Sequence, residues 1–408
     1  MTKWWQRRSD SRLAQQADGL HAQGKRLLAE GKAQQAEDAF REAVELRTQL
    51  LGPDAEATLQ ARVDGTHALL ILKRLDDAEE ELRDVLRRCS GSPNGSDQLL
   101  LARVHYALGL VLRAASRLQE AEVEARTVMS LRKAMPLDPL LLAAWGLQAF
   151  TLGDLGRHAE AVQKYAALGG ALTEVKGDTR LRILKARSDS TPHLSYLGRY
   201  DEAESECRAI VEAAKLNGFV PLHMAACNNL VFALAGLGRF DEGELVARAA
   251  IEHAAGLADA RFGNTLHLTL AKCLNGQHRY EEAARAVGQA KVGFLKTSAT
   301  RNSDLAAVGI ATAAGLLGLG KHAAAEKEAR GARANCEPGF SATHHRTLEA
   351  DQLIGLALAG QGRLLEADEA LRANYAAWKA NFGEDHPNTA SAAAALAELA
   401  REAGSSSA

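Results

Sequence analysis

Gly315-Leu-Leu-Gly-Leu-Gly-Lys321 is the stretch whose spacing most invites a chemical reading, because glycines followed by lysine can wrap backbone N–H groups around a phosphate. It ends on the wrong residue. His322 stands where a magnesium-binding Ser or Thr belongs, and no strand-like run precedes it, so we read the stretch as an ordinary turn. The thirteen histidines invite metal or acid/base chemistry. His344 and His345 are adjacent at a helix start, and neighbouring helical side chains do not converge on one ion. His105 and His267 share a register position with Trp145 and read as core or partly buried residues. Trp4 and Trp5, among Arg7 and Arg8, have the make-up of an interfacial anchor, but the segment is short and packing within the chain is the reading adopted. Cys89, Cys207, Cys227, Cys273 and Cys336 are odd in number and form no CxxC pair, which argues against a disulfide framework or zinc site and fits a reducing compartment. The expectation is therefore no catalytic constellation, no metal and no cofactor.

Composition narrows the partners. With 49 basic against 51 acidic residues, nothing predicts wholesale attraction to nucleic acid or an anionic membrane. The basic N-terminus lacks a following apolar run, and the longest apolar stretch, 140–150, is too short to span a bilayer. A cytoplasmic protein is expected. Only eight prolines interrupt a sequence rich in Ala, Leu, Glu and Arg, which makes the class all-α.

What must position any site is a repeat. A turn residue followed by a basic one recurs at Gly31-Lys32, Lys73-Arg74, Ser116-Arg117, Gly156-Arg157, Gly198-Arg199, Gly238-Arg239, His278-Arg279, Gly320-Lys321 and Gly362-Arg363, at intervals of 40 to 43 residues. Four residues before each turn stands Leu, and five after it Ala or, once, Gly243. Each repeat reads as two antiparallel helices. Gly supplies the left-handed C-terminus of the first, the basic residue complements that helix's dipole, and acidic residues open the second. Lys73, Ser116 and His278 occupy the glycine position less comfortably, so strained or wider turns are expected there. Gly404 continues the period, so a tenth first helix is expected to cap the array. The predicted organisation is an extension over 1–13, a solenoid over 14–404 and a flexible tail over 405–408. In the fifth repeat Pro192 should kink its helix near Ser188, which either widens the groove or forms a hinge, or else marks a repeat whose regularity has drifted.

The succession of small residue, Leu, Gly, basic, aromatic, acidic and Ala resembles the tetratricopeptide repeat, and its longer subclass found in kinesin light chains. Phe382-Gly-Glu-Asp-His-Pro-Asn-Thr389 is similar to the Leu-Gly-x-x-His-Pro-x-Thr that joins repeats there, and Leu51-Gly-Pro-Asp-Ala-Glu-Ala-Thr58 looks like a decayed copy. The resemblance implies a right-handed superhelix lined on its concave side by first helices, with side chains 13, 10, 6, 3 and 2 residues before each turn facing the groove. Those positions give His21, Lys25, His67, Arg103, Tyr106, Leu110, Arg113, Phe150, Lys185, Ser188, Tyr196, Asn228, Phe232, Lys272 and Asn275. Toward the C-terminus they become small and apolar: Ala307, Ile310, Ala314, Leu356 and Ala359.

Cations, amides and aromatics in one groove suit a peptide carrying acidic side chains. The carboxylate clamp of chaperone-binding relatives is not matched. The expected function is a non-enzymatic scaffold or adaptor that binds a protein or peptide, or senses a regulatory peptide. The alternative is an enzyme, or a substrate-presenting subunit, of a biosynthetic or modification pathway.

Overall fold

The computed structural model describes residues 2–90, 98–132, 138–256, 261–296 and 302–405, which form nineteen α-helices and no strand. The helices pair along the chain: α1 (Thr2–Ala29) with α2 (Ala33–Leu51), α3 (Glu56–Ile71) with α4 (Leu75–Ser90), α5 (Gln98–Ala114) with α6 (Leu118–Arg132), α7 (Pro139–Asp154) with α8 (His158–Thr173), and α9 (Arg180–Tyr196) with α10 (Tyr200–Leu216). Then follow α11 (Val220–Gly236) with α12 (Phe240–Ala254), α13 (Arg261–Gly276) with α14 (Tyr280–Lys296), α15 (Asn302–Gly318) with α16 (His322–Cys336), α17 (His345–Gly360) with α18 (Leu364–Phe382), and a last helix α19 (Pro387–Ser405). The expected capping helix is α19; it runs on through Gly404, where the period placed a turn. The predicted extension is the start of α1, whose first eight side chains, those of Trp4 and Trp5 included, lie outside the described residues, as does the tail from 406. Among the described residues no helix is long and apolar enough to cross a membrane. The chain divides into two compact units, Met1–Thr151 and Leu152–Ala408, each treated separately below.

The turns explain the period. In all nine, the basic residue's N–H reaches the carbonyl of the recurring Leu at 2.9–3.1 Å, as from Arg199 to Leu194, which closes the end of the first helix. This requires a left-handed residue between them, and Gly198 adopts φ +74. Lys73, Ser116 and His278 are forced into the same region at φ 59, 62 and 61. A side chain there costs about 1–2 kcal/mol, so Ser116→Gly should stabilise the protein by about 1 kcal/mol once the extra backbone entropy of glycine is set against the relief. Thermal unfolding beside the wild type checks this, and an unchanged or lower midpoint would contradict it.

The basic residue does more than complement a dipole. Arg239 forks between Glu242, three residues on, and Glu204 of the previous repeat, and Arg279 does the same with Glu282 and Glu244. Each exposed pair contributes little alone, but together they tie neighbouring second helices. The small residue five after the turn is packed to exclusion: Ala36, Ala78, Ala121, Ala161, Ala203, Ala325 and Ala367 are fully buried, and a methyl at Gly243 would lie 2.7 Å from the Cys273 sulfur.

α9 runs unbroken through Pro192. Proline has no N–H to offer the Ser188 carbonyl one turn back, so that oxygen takes the Thr191 hydroxyl at 2.9 Å and the Asn229 side-chain N–H from α11 at 3.1 Å instead. The irregular helix is thereby pinned to its neighbour.

Candidate functional site

In the N-terminal unit the expected groove residues are largely engaged with one another. His21 and Lys25 both reach Asp64 at 2.9 Å; burial works against the Asp64 charge, but these two partners hold its pKa down at about 2. The Arg113 guanidinium lies 3.7 Å over the ring of Phe150. His67 and Arg103 are half-buried, and burial pushes the half-buried Tyr106 hydroxyl upward in pKa.

In the C-terminal unit the register sorts its residues in two ways. Lys185 pairs with Asp189 at 2.6 Å on an exposed edge, and Ser188 is buried, only 2% exposed. Tyr196, Asn228, Phe232, Lys272 and Asn275 instead converge on one cavity of about 550 Å³, whose apolar wall includes Ala307, Ile310, Ala314 and Leu356. The Lys272 ammonium rests 4.3 Å over the Phe232 ring, and Tyr196 meets the same ring edge to face at 5.3 Å. The Asn275 side-chain oxygen is buried without a partner among the described residues.

Residues the sequence reading passed over complete the lining: Asn229, Thr269, His345, Arg346, Glu349 and Gln352. Arg346 donates to the Ser303 carbonyl at 3.0 Å. Burial disfavours its charge, but the Tyr196 hydroxyl and Glu349 outweigh that and raise its pKa further. Burial also raises the Glu349 carboxyl, against the opposing pull of Lys272 and Arg346. Two cations and one carboxylate therefore face a largely apolar chamber.

The chamber exists because the C-terminal unit closes on itself. The segment before α17 docks on the turn between α7 and α8, and the segment before α19 docks on the turn between α9 and α10. A methyl at Gly156 would lie 3.3 Å from His344, and one at Gly198 would lie 2.6 Å from Pro387. The two docking segments are copies of one motif. Thr347 donates to the Ser341 carbonyl at 2.9 Å as Thr389 does to Gly383 at 2.8 Å, and His344 and His386 each accept the N–H two residues on at 3.2 Å. That bond leaves the hydrogen of His386 on Nε2, which donates to the Tyr196 carbonyl at 3.0 Å. Leu51–Thr58 shares the geometry, Thr58 donating to Gly52 at 2.9 Å.

A histidine cluster fills the seam. His158 lies between His193, Nδ1 to Nδ1 at 3.1 Å, and His345, Nε2 to Nδ1 at 2.9 Å. His345 stacks on Tyr196 at 3.7 Å, and His344 stacks on Phe340 at 3.9 Å. Burial above all, with neighbouring imidazoles and Arg346, depresses His158 to about 3 and His344 to about 2; burial alone takes His193 to about 4, and His345 falls well below its ordinary value. All four are neutral at pH 7. Among the described residues no group of three or more His, Cys, Asp or Glu side chains is placed to hold a metal.

Tyr196 owes its place to an exception. Two residues before the next four turns stand Gly236, Gly276, Gly318 and Gly360, where a methyl would strike Tyr200, Phe240, Tyr280 and His322 of the preceding repeat. The fifth repeat carries a ring at that position, and it is turned against His345 and into the cavity.

Comparison with known proteins agrees with this architecture. Residues 21–54 match the tetratricopeptide repeat family model. The recurring unit is a tetratricopeptide repeat. No curated protein matches the chain in sequence. Among solved structures it is similar to the apo form of the quorum sensor NprR from B. thuringiensis, at TM-score 0.58 and 14% identity over 88% of this chain and 98% of that one. NprR in complex with its cognate peptide NprX gives 0.57 and 14% over 87% and 96%. A Rap protein complexed with Competence and Sporulation Factor gives 0.54 and 11% over 84% and 98%. At such identities the likeness is one of fold.

Proposed function

We propose that this protein is a non-enzymatic, regulatory peptide-binding scaffold whose ligand lies in the cavity of the C-terminal unit. The observation that carries the reading is the convergence of Tyr196, Asn228, Phe232, Lys272 and Asn275 with Arg346 and Glu349 on one chamber of about 550 Å³, within the usual range for a specific ligand site. Side-chain amides can pair with a peptide backbone, the apolar wall takes one or two side chains, and the surplus cation favours an acidic group on the ligand. The fold relatives NprR, crystallised with the peptide NprX, and Rap, crystallised with Competence and Sporulation Factor, support the same use of such a repeat array. Five buried cysteines, none of them in a disulfide, are in keeping with a reducing, cytoplasmic setting.

The test is an arrayed set of short synthetic peptides, acidic and neutral, titrated calorimetrically against the full chain. Acidic members should bind, and Lys272→Ala or Asn228→Ala should each weaken them by about tenfold. Lys185→Ala, outside the cavity, should leave affinity unchanged. Equal losses from all three variants, or no binding at all, would overturn the reading.

A further inference from the structure

We infer that the histidine seam joining His158 and His193 to His344 and His345 is a proton-operated latch on the cavity, shut while the imidazoles are neutral and released when they take up protons. Three observations carry it. The seam joins chain segments 187 residues apart, so it holds the unit closed rather than any single repeat together. The latch and the cavity share side chains, since Tyr196, His345 and Arg346 both line the chamber and make the closing contacts. And the seam packs imidazole against imidazole beside the Arg346 guanidinium, an arrangement that disfavours added positive charge.

That last point follows from what faces the histidines on each packed element. α8 contributes His158 and the ring of Tyr165; α9 contributes His193 and Tyr196; α17 with its leading residue contributes His344, His345, Arg346 and Glu349; and the segment before α19 contributes His386. Arg346 is a fixed cation, and the Glu349 carboxylate faces it and Lys272. His158 is hydrogen-bonded to two imidazoles, those of His193 and His345, and the Arg346 guanidinium opposes charge on both His158 and His345, so a proton arriving there meets imidazoles and a fixed cation.

In the closed unit the four imidazoles stay neutral down to acid pH, whereas in an opened seam each would titrate near its ordinary value of about 6.5. Their folded values are depressed, so the contribution to closure is fully present above pH 6.5 and is lost as pH falls below it. At pH 5.5 each histidine shifts the equilibrium toward the open form by about tenfold, or about 10⁴-fold for the four together. His386, depressed in the same direction by burial, adds to this.

The experiment follows the ligand-free full chain from pH 8 to pH 5 by small-angle scattering for compactness and by far-ultraviolet circular dichroism for helicity. Between pH 6.5 and 5 the radius of gyration should rise while helicity persists, because each repeat keeps its neighbours. The double variant His193→Phe/His344→Asn keeps a ring and a helix cap but removes two titrating groups, so its transition should be shallower by about two protons and lie at lower pH. Should the double variant close poorly from the outset, His386→Gln alone should still shift the transition downward. A constant radius, or expansion that coincides with loss of helicity, would overturn the latch, as would identical profiles for wild type and variants. That the latch governs a peptide rests on the function proposed above. Opening in acid without any peptide binding would refute that function and leave the latch standing.

Discussion

Gly198→Ala should open the C-terminal unit, whereas Gly238→Ala, at the same turn position one repeat later, should not. Both glycines are left-handed, at φ +74 and +73, so both substitutions carry the same backbone cost of about 1–2 kcal/mol. Their surroundings differ. At Gly238 nothing lies within 4 Å of the added methyl; at Gly198 it meets Pro387 Cδ at 2.6 Å and His386 at 3.4 Å. Neither the proline ring nor the helix start behind it can move aside without withdrawing the segment that docks there. Overpacking of this kind costs about 1–3 kcal/mol, so Gly198→Ala should be the more destabilising by that margin. It should also break the bond from His386 to the Tyr196 carbonyl and enlarge the radius of gyration at pH 7.5. Urea denaturation and small-angle scattering of both variants decide the matter. Equal destabilisation with equal compactness would mean that the docking contact does not hold the unit closed.

The contrast between those two glycines marks how far the sequence could be read. Turn spacing, the Leu column and the small-residue column are local, recur in every repeat and give the helices their order. The same register also contained part of the site. Glu349 and Gln352 stand 13 and 10 residues before Gly362, at groove positions, in a stretch whose other groove residues are small and apolar. Asn229, Thr269, Ala311 and Leu353 form a further column, nine before the turn, that also faces the cavity. Ser188 shows the opposite failure: it holds a groove position but is buried beside the backbone that Pro192 disrupts, where Asn229 reaches across.

His345 and Arg346 belong to no groove column. They reach the chamber only because the unit closes, a contact 187 residues apart in the chain that no local pattern announces. One signal was present. Phe340–Thr347 is offset by 42 residues from Phe382–Thr389, aligning His344 with His386, although Ser341 and His345 replace the diagnostic glycine and proline. The adjacency of His344 and His345 does argue against one shared ion. It says nothing of imidazoles arriving from α8 and α9.

Arg346→Met should abolish recognition of acidic peptides, a loss of about 100-fold, because a charged hydrogen bond removed from an enclosed chamber contributes about 1.5–3 kcal/mol. The same change should lower the stability of the unit by about 2 kcal/mol. The Ser303 carbonyl and the Tyr196 hydroxyl lose their donor, and Glu349 is left with Lys272 as its one nearby cation. Burial already raises the Glu349 carboxyl; without Arg346 it should rise further and draw a proton near neutrality. A raised folded-state value makes the deficit largest at high pH and smallest at low pH, so the stability gap between Arg346→Met and wild type should widen from pH 6 to pH 8. Adding Glu349→Gln removes the stranded charge. The double variant should regain much of the lost stability and lose the pH-dependent widening, yet still fail to bind acidic peptides. Thermal unfolding at the two pH values, with peptide titration on the same samples, separates the roles: a double variant that recovers binding along with stability would show that Arg346 supports the fold without touching the ligand.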